Sequence, residues 1–254
     1  MGQGLKIKYK MAKVESLRVE LLSYTQDPEQ NVVAGIRQCY SKVGAEELKE
    51  KTTQETRERL ISQVIGSGHT STVEHASFTF GIEGISRACS HQLVRHRIAS
   101  FSQQSQRYVD LSKEELGYIL PPTIAADEKQ KEKYTQVMEE LEKKYKELIE
   151  SGVKPEDARY ILPNACQTKM VVTMNARSLL NFFQERTCQR AQWEIRALAN
   201  QMLEKVKPVA PKIFENAGPT CRSQGICWEG DMSCGRWKSI PGAMLKSRIK
   251  NETR

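Results

Sequence analysis

Between Ala76 and Ile82, Phe78, Phe80 and Ile82 alternate with Ser77, Thr79 and Gly81, the two-residue period of a strand with one face buried. Such a strand cannot stand alone, because its backbone needs sheet partners and its apolar face needs a cover. Arg18-Val19-Glu20-Leu21-Leu22-Ser23-Tyr24 offers a second strand. The cover comes from helical periodicity elsewhere. Asp27-Pro28 supplies a cap and a first-turn proline for a short helix through Cys39, and a longer one runs from Thr53 to Ser67 until Gly66-Ser67-Gly68 breaks it. From Ile85 to Arg95 the chain has no Gly or Pro, apolar residues recur four apart at Ile85, Cys89 and Leu93, and a helix is expected.

Leu120-Pro121-Pro122 ends that run. From Asp127 to Glu150 a single apolar stripe, Tyr134, Met138, Leu141, Tyr145 and Leu148, lies on a highly charged helix, which reads as a surface helix packing one face. Lys154-Pro155-Glu156 opens another helix that Pro163 closes, and two more follow at Asn175 to Thr187 and Ala191 to Val206. The order of strand, helices, strand, then mostly helices predicts an α+β single domain with a central antiparallel sheet flanked by helices. Residues 1–10 read as a mobile arm or expression remnant, 11–217 as the folded domain, and 218–254 as a basic tail containing Cys and Gly.

The most unusual stretch is Arg95-His96-Arg97-Ile98-Ala99-Ser100-Phe101-Ser102-Gln103-Gln104-Ser105-Gln106-Arg107. Arginine forks bind phosphate oxygens bidentately, and Ser and Gln both donate and accept, so the stretch suits a ligand with a phosphate and a polar ring. A solvated loop with incidental arginines is the bland alternative. A formal net charge of +8 favours anionic partners without ranking them.

The order Arg95-His96-Arg97, seven residues, then Ser105 resembles the signature of flavin-dependent thymidylate synthases. Upstream, Gly68-His69-Thr70-Ser71-Thr72-Val73-Glu74-His75 is similar to that family's flavin segment; downstream, Asn175 to Phe183 and Arg186 are similar to its second nucleotide segment. The resemblance covers roughly residues 60 to 200. It implies that residues 11–217 form a catalytic domain binding FAD and dUMP, which methylates dUMP to dTMP with methylenetetrahydrofolate and NADPH as co-substrates. Carried over by position, Gln92, Leu93, Val94, Arg95, Gln103 and Gln104 meet dUMP, together with Ser105, Gln106, Arg107, Arg159 and Arg186. FAD is met by His69, Ser71, Arg95, His96, Arg97 and Gln103, with Asn175, Ala176, Arg177 and Asn181. Arg186 at the pyrimidine is the catalytic group, its fixed positive charge stabilising negative charge that develops on the ring without a covalent thiol. The resemblance also implies a homotetramer with shared active sites.

At about 100° per residue, Arg177 and Asn181 share one helix face while Arg186 falls about 140° round from Asn181, so one straight helix is expected to serve two pockets. His75 reads as structural. Ser105 has no identifiable base and is assigned to binding rather than to a nucleophile. The absence of G-x-G-x-x-G after a strand excludes a Rossmann mode of holding FAD, not FAD itself.

Seven cysteines, at 39, 89, 166, 188, 221, 227 and 234, are too scattered and odd in number for a secreted disulfide framework. No metal is expected. Cys188, Cys221, Cys227 and Cys234 could gather four sulfurs for zinc, but their spacing is not the short C-x-x-C knuckle, and reduced or partly oxidised structural cysteines are the favoured reading. No apolar run approaches the roughly 20 residues of a membrane span, and no leader opens the chain, so a cytoplasmic protein without membrane contact is expected. Two rivals remain at this point: a basic nucleic-acid-binding module, which would show strongly salt-dependent binding and no chromophore, and a flavin- and folate-dependent uracil methylase acting on RNA. Few stacking aromatics interleave the arginines beyond Phe101 and Tyr108, and nucleic acid is the less favoured partner.

Overall fold

A computed structural model describes residues 12–246. Four strands, Arg18–Tyr24, Ser77–Ser86, Gln167–Asn175 and Ser100–Gln103, are hydrogen-bonded in that order into one sheet. The pairing is antiparallel: Thr25 N–H donates to the Ser77 carbonyl, Ala176 N–H to the Ala76 carbonyl, and the hydroxyls of Thr79 and Thr173 lie 2.9 Å apart. The expected α+β class with an antiparallel sheet is present. Residues 1–10 lie outside the described residues, as do the last eight positions of the tail.

The described chain separates into two compact units, one of residues 19–81, 93–101 and 171–246, the other of 12–18, 82–92 and 102–170. In the first, the alternation that marks Ser77–Ser86 buries Phe78 and Phe80 completely. They face an aromatic cluster: Phe78 meets Phe214 edge-on at 5.4 Å, Phe214 meets Phe183 at 5.9 Å, and Phe183 meets Phe182 at 5.8 Å. Phe182 and Phe183 belong to the helix Ala176–Arg186, which Asn175 caps by accepting the Ser178 N–H, and Trp193–Val206 packs beside it through Ile195, Leu198, Met202 and Val206. Glu29, on the helix Pro28–Gln38, is buried and accepts the backbone N–H groups of Lys212 (2.5 Å) and Ile213 (3.1 Å). Burial lifts its carboxyl above the usual range despite those bonds.

In the other unit the charged helix Glu128–Glu150 starts at Asp127, whose carboxylate accepts the Lys129 and Gln130 N–H groups. Its stripe is buried at Met138 and Tyr145. The same face also buries an ion pair, Glu142 with Lys146 at 2.7 Å, whose carboxylate additionally accepts the Leu116 N–H. The charge pattern of this helix had no such burial written in it.

Four local expectations need correction. The strand beginning at Ser77 runs on to Ser86, and the following helix is only Arg87–Leu93, so Ile85 is a buried strand residue rather than a helical one. Gly84 makes the extension possible: at φ +68° its backbone lies against the Ser16 carbonyl, and a Cβ there would come within 2.0 Å of that oxygen. The Arg-rich stretch, for which no strand was expected, contains an edge strand, Ser100–Gln103. The helix Ala45–Glu50 and the strand Gln167–Asn175 fall in segments for which no element was expected.

Candidate active site

In the larger unit the helix Ala176–Arg186, the turn Thr70–His75 and the segment following Leu93 surround a cleft of about 670 Å³. Arg95, His96, Arg97, Arg177, Asn181 and Arg186 all line it, and so does Asn175. Four guanidinium groups thus meet two carboxylates, Glu74 and Glu185, in a cleft biased towards anions. Arg177 is paired with Glu74 at 2.5 Å, and both groups are exposed enough that the pair adds little stability and can open for a ligand.

Arg186 is held differently. Its Nε–H donates to His96 Nε2 at 3.1 Å, while the imidazole edge packs on Phe182 at 4.9 Å and 87°. The aromatic cluster therefore runs from the sheet to His96 and fixes the ring that orients Arg186. Burial, and then the adjacent guanidinium, push the His96 pKa below its ordinary value, so the ring is neutral at neutral pH, with Nε2 accepting and Nδ1 carrying the proton.

Arg177 and Asn181 also line a second cleft of about 790 Å³ with Gly68, Thr70, Gln184 and Lys212. One helix does serve two clefts. The expectation that Arg177, Asn181 and Arg186 could not share one cleft is overturned, because angular position fixes only the Cα direction and the long arginine side chain reaches round to His96.

His69 and Ser71 are exposed beside these clefts but line neither. His75 packs against Gly35, where an added Cβ would meet the ring at 2.9 Å, in keeping with a structural role. Leu93 and Ala176 are fully buried, backbone included, with the Leu93 carbonyl bonded to the His96 N–H and the Ala176 N–H to the Ala76 carbonyl. Val94 is 39% exposed.

The other unit assembles a second group. Gln103 Nε2 donates to the Ser90 and Thr168 hydroxyls at 3.0 and 3.1 Å, the Gln104 N–H bonds the Lys169 carbonyl, and Gln106 reaches the Cys166 sulfur. Ser105 Oγ accepts the Arg107 N–H, and no base stands against it among these bonds. Arg107 and Arg159 converge on Glu156: Arg107 Nε donates to its carboxylate at 2.8 Å, and Arg159 Nε to its carbonyl at 3.0 Å. Each guanidinium lies near its neighbouring ring, Arg107 at 5.2 Å from Tyr108 and Arg159 at 5.9 Å from Tyr160, and both tyrosines are largely exposed. Two forks with flanking aromatic faces can hold a phosphate and shelter a ring. Gln92 is half-buried at the end of Arg87–Leu93.

Glu74, Glu156 and Tyr160 were given no role at the site, and Tyr108 was noted only as an aromatic beside the arginines. Glu74 lies inside the flavin-segment match at Gly68 to His75, whereas Glu156 is brought to Arg107 from 49 positions away by the fold alone.

The family described as thymidylate synthase complementing protein matches residues 20–212. A flavin-dependent thymidylate synthase of Geobacter sulfurreducens is 51% identical over 220 residues, covering 87% of this chain and 94% of that protein. One from Clostridium tetani is 47% identical over 240 residues, covering 88% and 95%. Among solved structures, a UMP/dUMP methylase from Streptomyces cacaoi, bound with 5-Br dUMP, aligns with a TM-score of 0.71 over 80% of this chain and 95% of that one; at 24% identity the likeness concerns the fold.

Proposed function

The chain belongs to the thymidylate synthase complementing protein family, and from that premise we propose that its two arginine groups divide the work of a flavin-dependent methylation of dUMP to dTMP. The observation that carries the reading is the convergence of Arg95, His96, Arg97, Arg177, Asn181 and Arg186 on one cleft. The volume, about 670 Å³, lies within the range of cofactor sites, and the donor set is that of an anion with hydrogen-bonding edges, so the residues fit FAD. When bound, the flavin supplies the hydride, drawn from NADPH, while methylenetetrahydrofolate supplies the carbon unit.

The chain's own residues bind and polarise. Arg95, Arg97 and Arg177 neutralise the cofactor's phosphates, and Asn181 fixes its orientation. Arg107 and Arg159 take the phosphate of dUMP, and Gln103, Gln104, Ser105 and Gln106 supply polar contacts beside it. Gln92 and Val94, on either side of buried Leu93, border the nucleotide, and His69 and Ser71 border the flavin. Arg186, aimed by neutral His96, places a permanent positive charge where negative charge develops on the pyrimidine, which lowers the barrier without a covalent sulfur. The Cys166 thiol, which accepts from Gln106, is buried and pushed up to about 11, which removes it as a nucleophile.

A cytoplasmic homotetramer completes the reading. It is supported by Ile98, Tyr108 and Tyr160, which stand 75, 78 and 82% exposed beside the site residues and suit cover by a second copy. No helix among the described residues is long and apolar enough to cross a membrane. The test is spectroscopic and kinetic together: the purified protein should show the near-ultraviolet and blue flavin bands and oxidise NADPH in a dUMP-dependent manner, yielding dTMP with methylenetetrahydrofolate. A colourless protein that also fails to bind added FAD ends the proposal.

A further inference from the structure

Beyond the helices of the larger unit, the chain from Thr220 to Lys246 contains only elements of two to four residues. In that span Cys221 and Cys227 are the only buried residues. A segment with so little apolar burial cannot offset the entropy of its own ordering, and chains of this size hold a fixed shape through disulfides or a metal. The family model ends at residue 212, short of this segment.

Four sulfurs meet here. Cys188, Cys221, Cys227 and Cys234 all line one cavity of about 10 Å³, the room of roughly one water-sized sphere. Cys188 belongs to the turn just after the helix Ala176–Arg186, and its sulfur accepts the backbone N–H of Arg190, a bond that favours a thiolate. Arg190 and Arg236 line the same cavity, and Arg190 also stands 3.9 Å from Glu229, the one carboxylate on its wall.

We infer that Cys188, Cys221, Cys227 and Cys234 form a tetrathiolate site for a structural zinc ion, which fastens the 220–246 segment to the turn following Arg186. Zinc takes four thiolates tetrahedrally at about 2.3 Å, and a closed four-ligand set is the structural rather than the catalytic form of such a site. Four thiols release four protons as the divalent ion enters, leaving a local charge of minus two that Arg190 and Arg236 offset. Two disulfides are the competing use of four cysteines, but a single void shared by all four sulfurs matches one central ion better than two separate pairs. Among the described residues no three His, Cys, Asp or Glu side chains stand close enough together to hold a metal ion as placed, so the cysteine side chains must rearrange around the ion. Cys234 is the exposed member, and side-chain rotation at more than this one cysteine is needed to bring the four sulfurs onto one ion.

The test uses the full chain purified without chelator from zinc-supplemented cells. Elemental analysis should find one zinc per chain, with the four thiols unreactive to maleimide until a strong chelator removes the metal. C221S and C234S should each lower zinc occupancy by roughly tenfold or more while the flavin bands persist. Should either variant fail to fold, cobalt added to the chelator-stripped wild type gives an independent reading: tetrahedral thiolate coordination produces red d–d bands clear of flavin absorption. Absence of stoichiometric zinc together with absence of those bands overturns the inference, whether the thiols are then freely reactive or intact mass shows two disulfides.

Discussion

Replacing His96 by Phe separates its two roles, because Phe keeps the edge contact with Phe182, seen at 4.9 Å, and removes the acceptor that holds Arg186 at 3.1 Å. A hydrogen bond to a charged group contributes about 1.5–3 kcal/mol; with both partners only half-buried, roughly 1–2 kcal/mol is the fitting range. If the bond serves to aim Arg186 in the transition state, that range converts to a loss in kcat of about 5- to 30-fold near neutral pH. The pH dependence sharpens the test. The His96 pKa is lowered, so its contribution is complete above the ordinary value of about 6.5 and is lost as pH falls through the lowered one, where the imidazolium has no lone pair for Arg186 and sets two cations side by side. Wild type should therefore lose kcat on the acid side, and H96F should lack that limb; H96Q, with an amide oxygen able to accept, should recover part of the rate without restoring the limb. The assay is steady-state turnover across pH with flavin occupancy followed by absorbance. An H96F enzyme as fast as wild type, or one that keeps the same acid limb, refutes the positioning argument.

Arg186→Ala should abolish turnover yet leave flavin bound; loss of the chromophore along with activity would show that Arg186 anchors the cofactor instead. Glu142→Ala takes from the buried Lys146 its ion-pair partner and from the Leu116 N–H its acceptor, and should cost about 3–5 kcal/mol in urea unfolding, a far larger effect than loss of the exposed Lys144 to Glu147 pair on the same helix. Glu29 gives opposite signs for two substitutions. Its raised pKa means that its contribution is present below about 4.5 and lost as pH rises through the raised value, so Glu29→Gln, which still accepts from Lys212 and Ile213, should match or exceed wild-type stability at neutral pH. Glu29→Ala leaves both N–H groups without the acceptor and should cost roughly 1–3 kcal/mol for each. Gly84→Ala forces a methyl onto the Ser16 carbonyl at a positive φ, and thermal unfolding should register at least about 2 kcal/mol of destabilisation.

Periodicity made the fold legible where one pattern ruled a long segment. The alternation beginning at Phe78 located a central strand, and Asp127 marked the start of the long helix because its carboxylate is a cap in the sequence as in the structure. The strand Gln167–Asn175 was harder, since it buries Thr168 while leaving Val171 exposed, which blurs the alternation that Met170, Val172 and Met174 follow. The strand Ser77–Ser86 overran its expected end because Gly84, which reads as a breaker, here admits a close backbone contact. At the site, the Arg-His-Arg motif and the Asn175 to Arg186 segment announced themselves by residue type. Their partners did not: His96 meets Arg186 across 90 positions and Arg177 meets Glu74 across 103, and pairings of that span are written only in the tertiary fold.

Arg177 and Asn181 face two clefts from a single helix. A molecule that engages either side chain from one side changes what it can offer on the other, so occupancy of the two spaces is thermodynamically linked, and by the same factor in each direction. Those two side chains are the physical route by which filling one space is felt in the other.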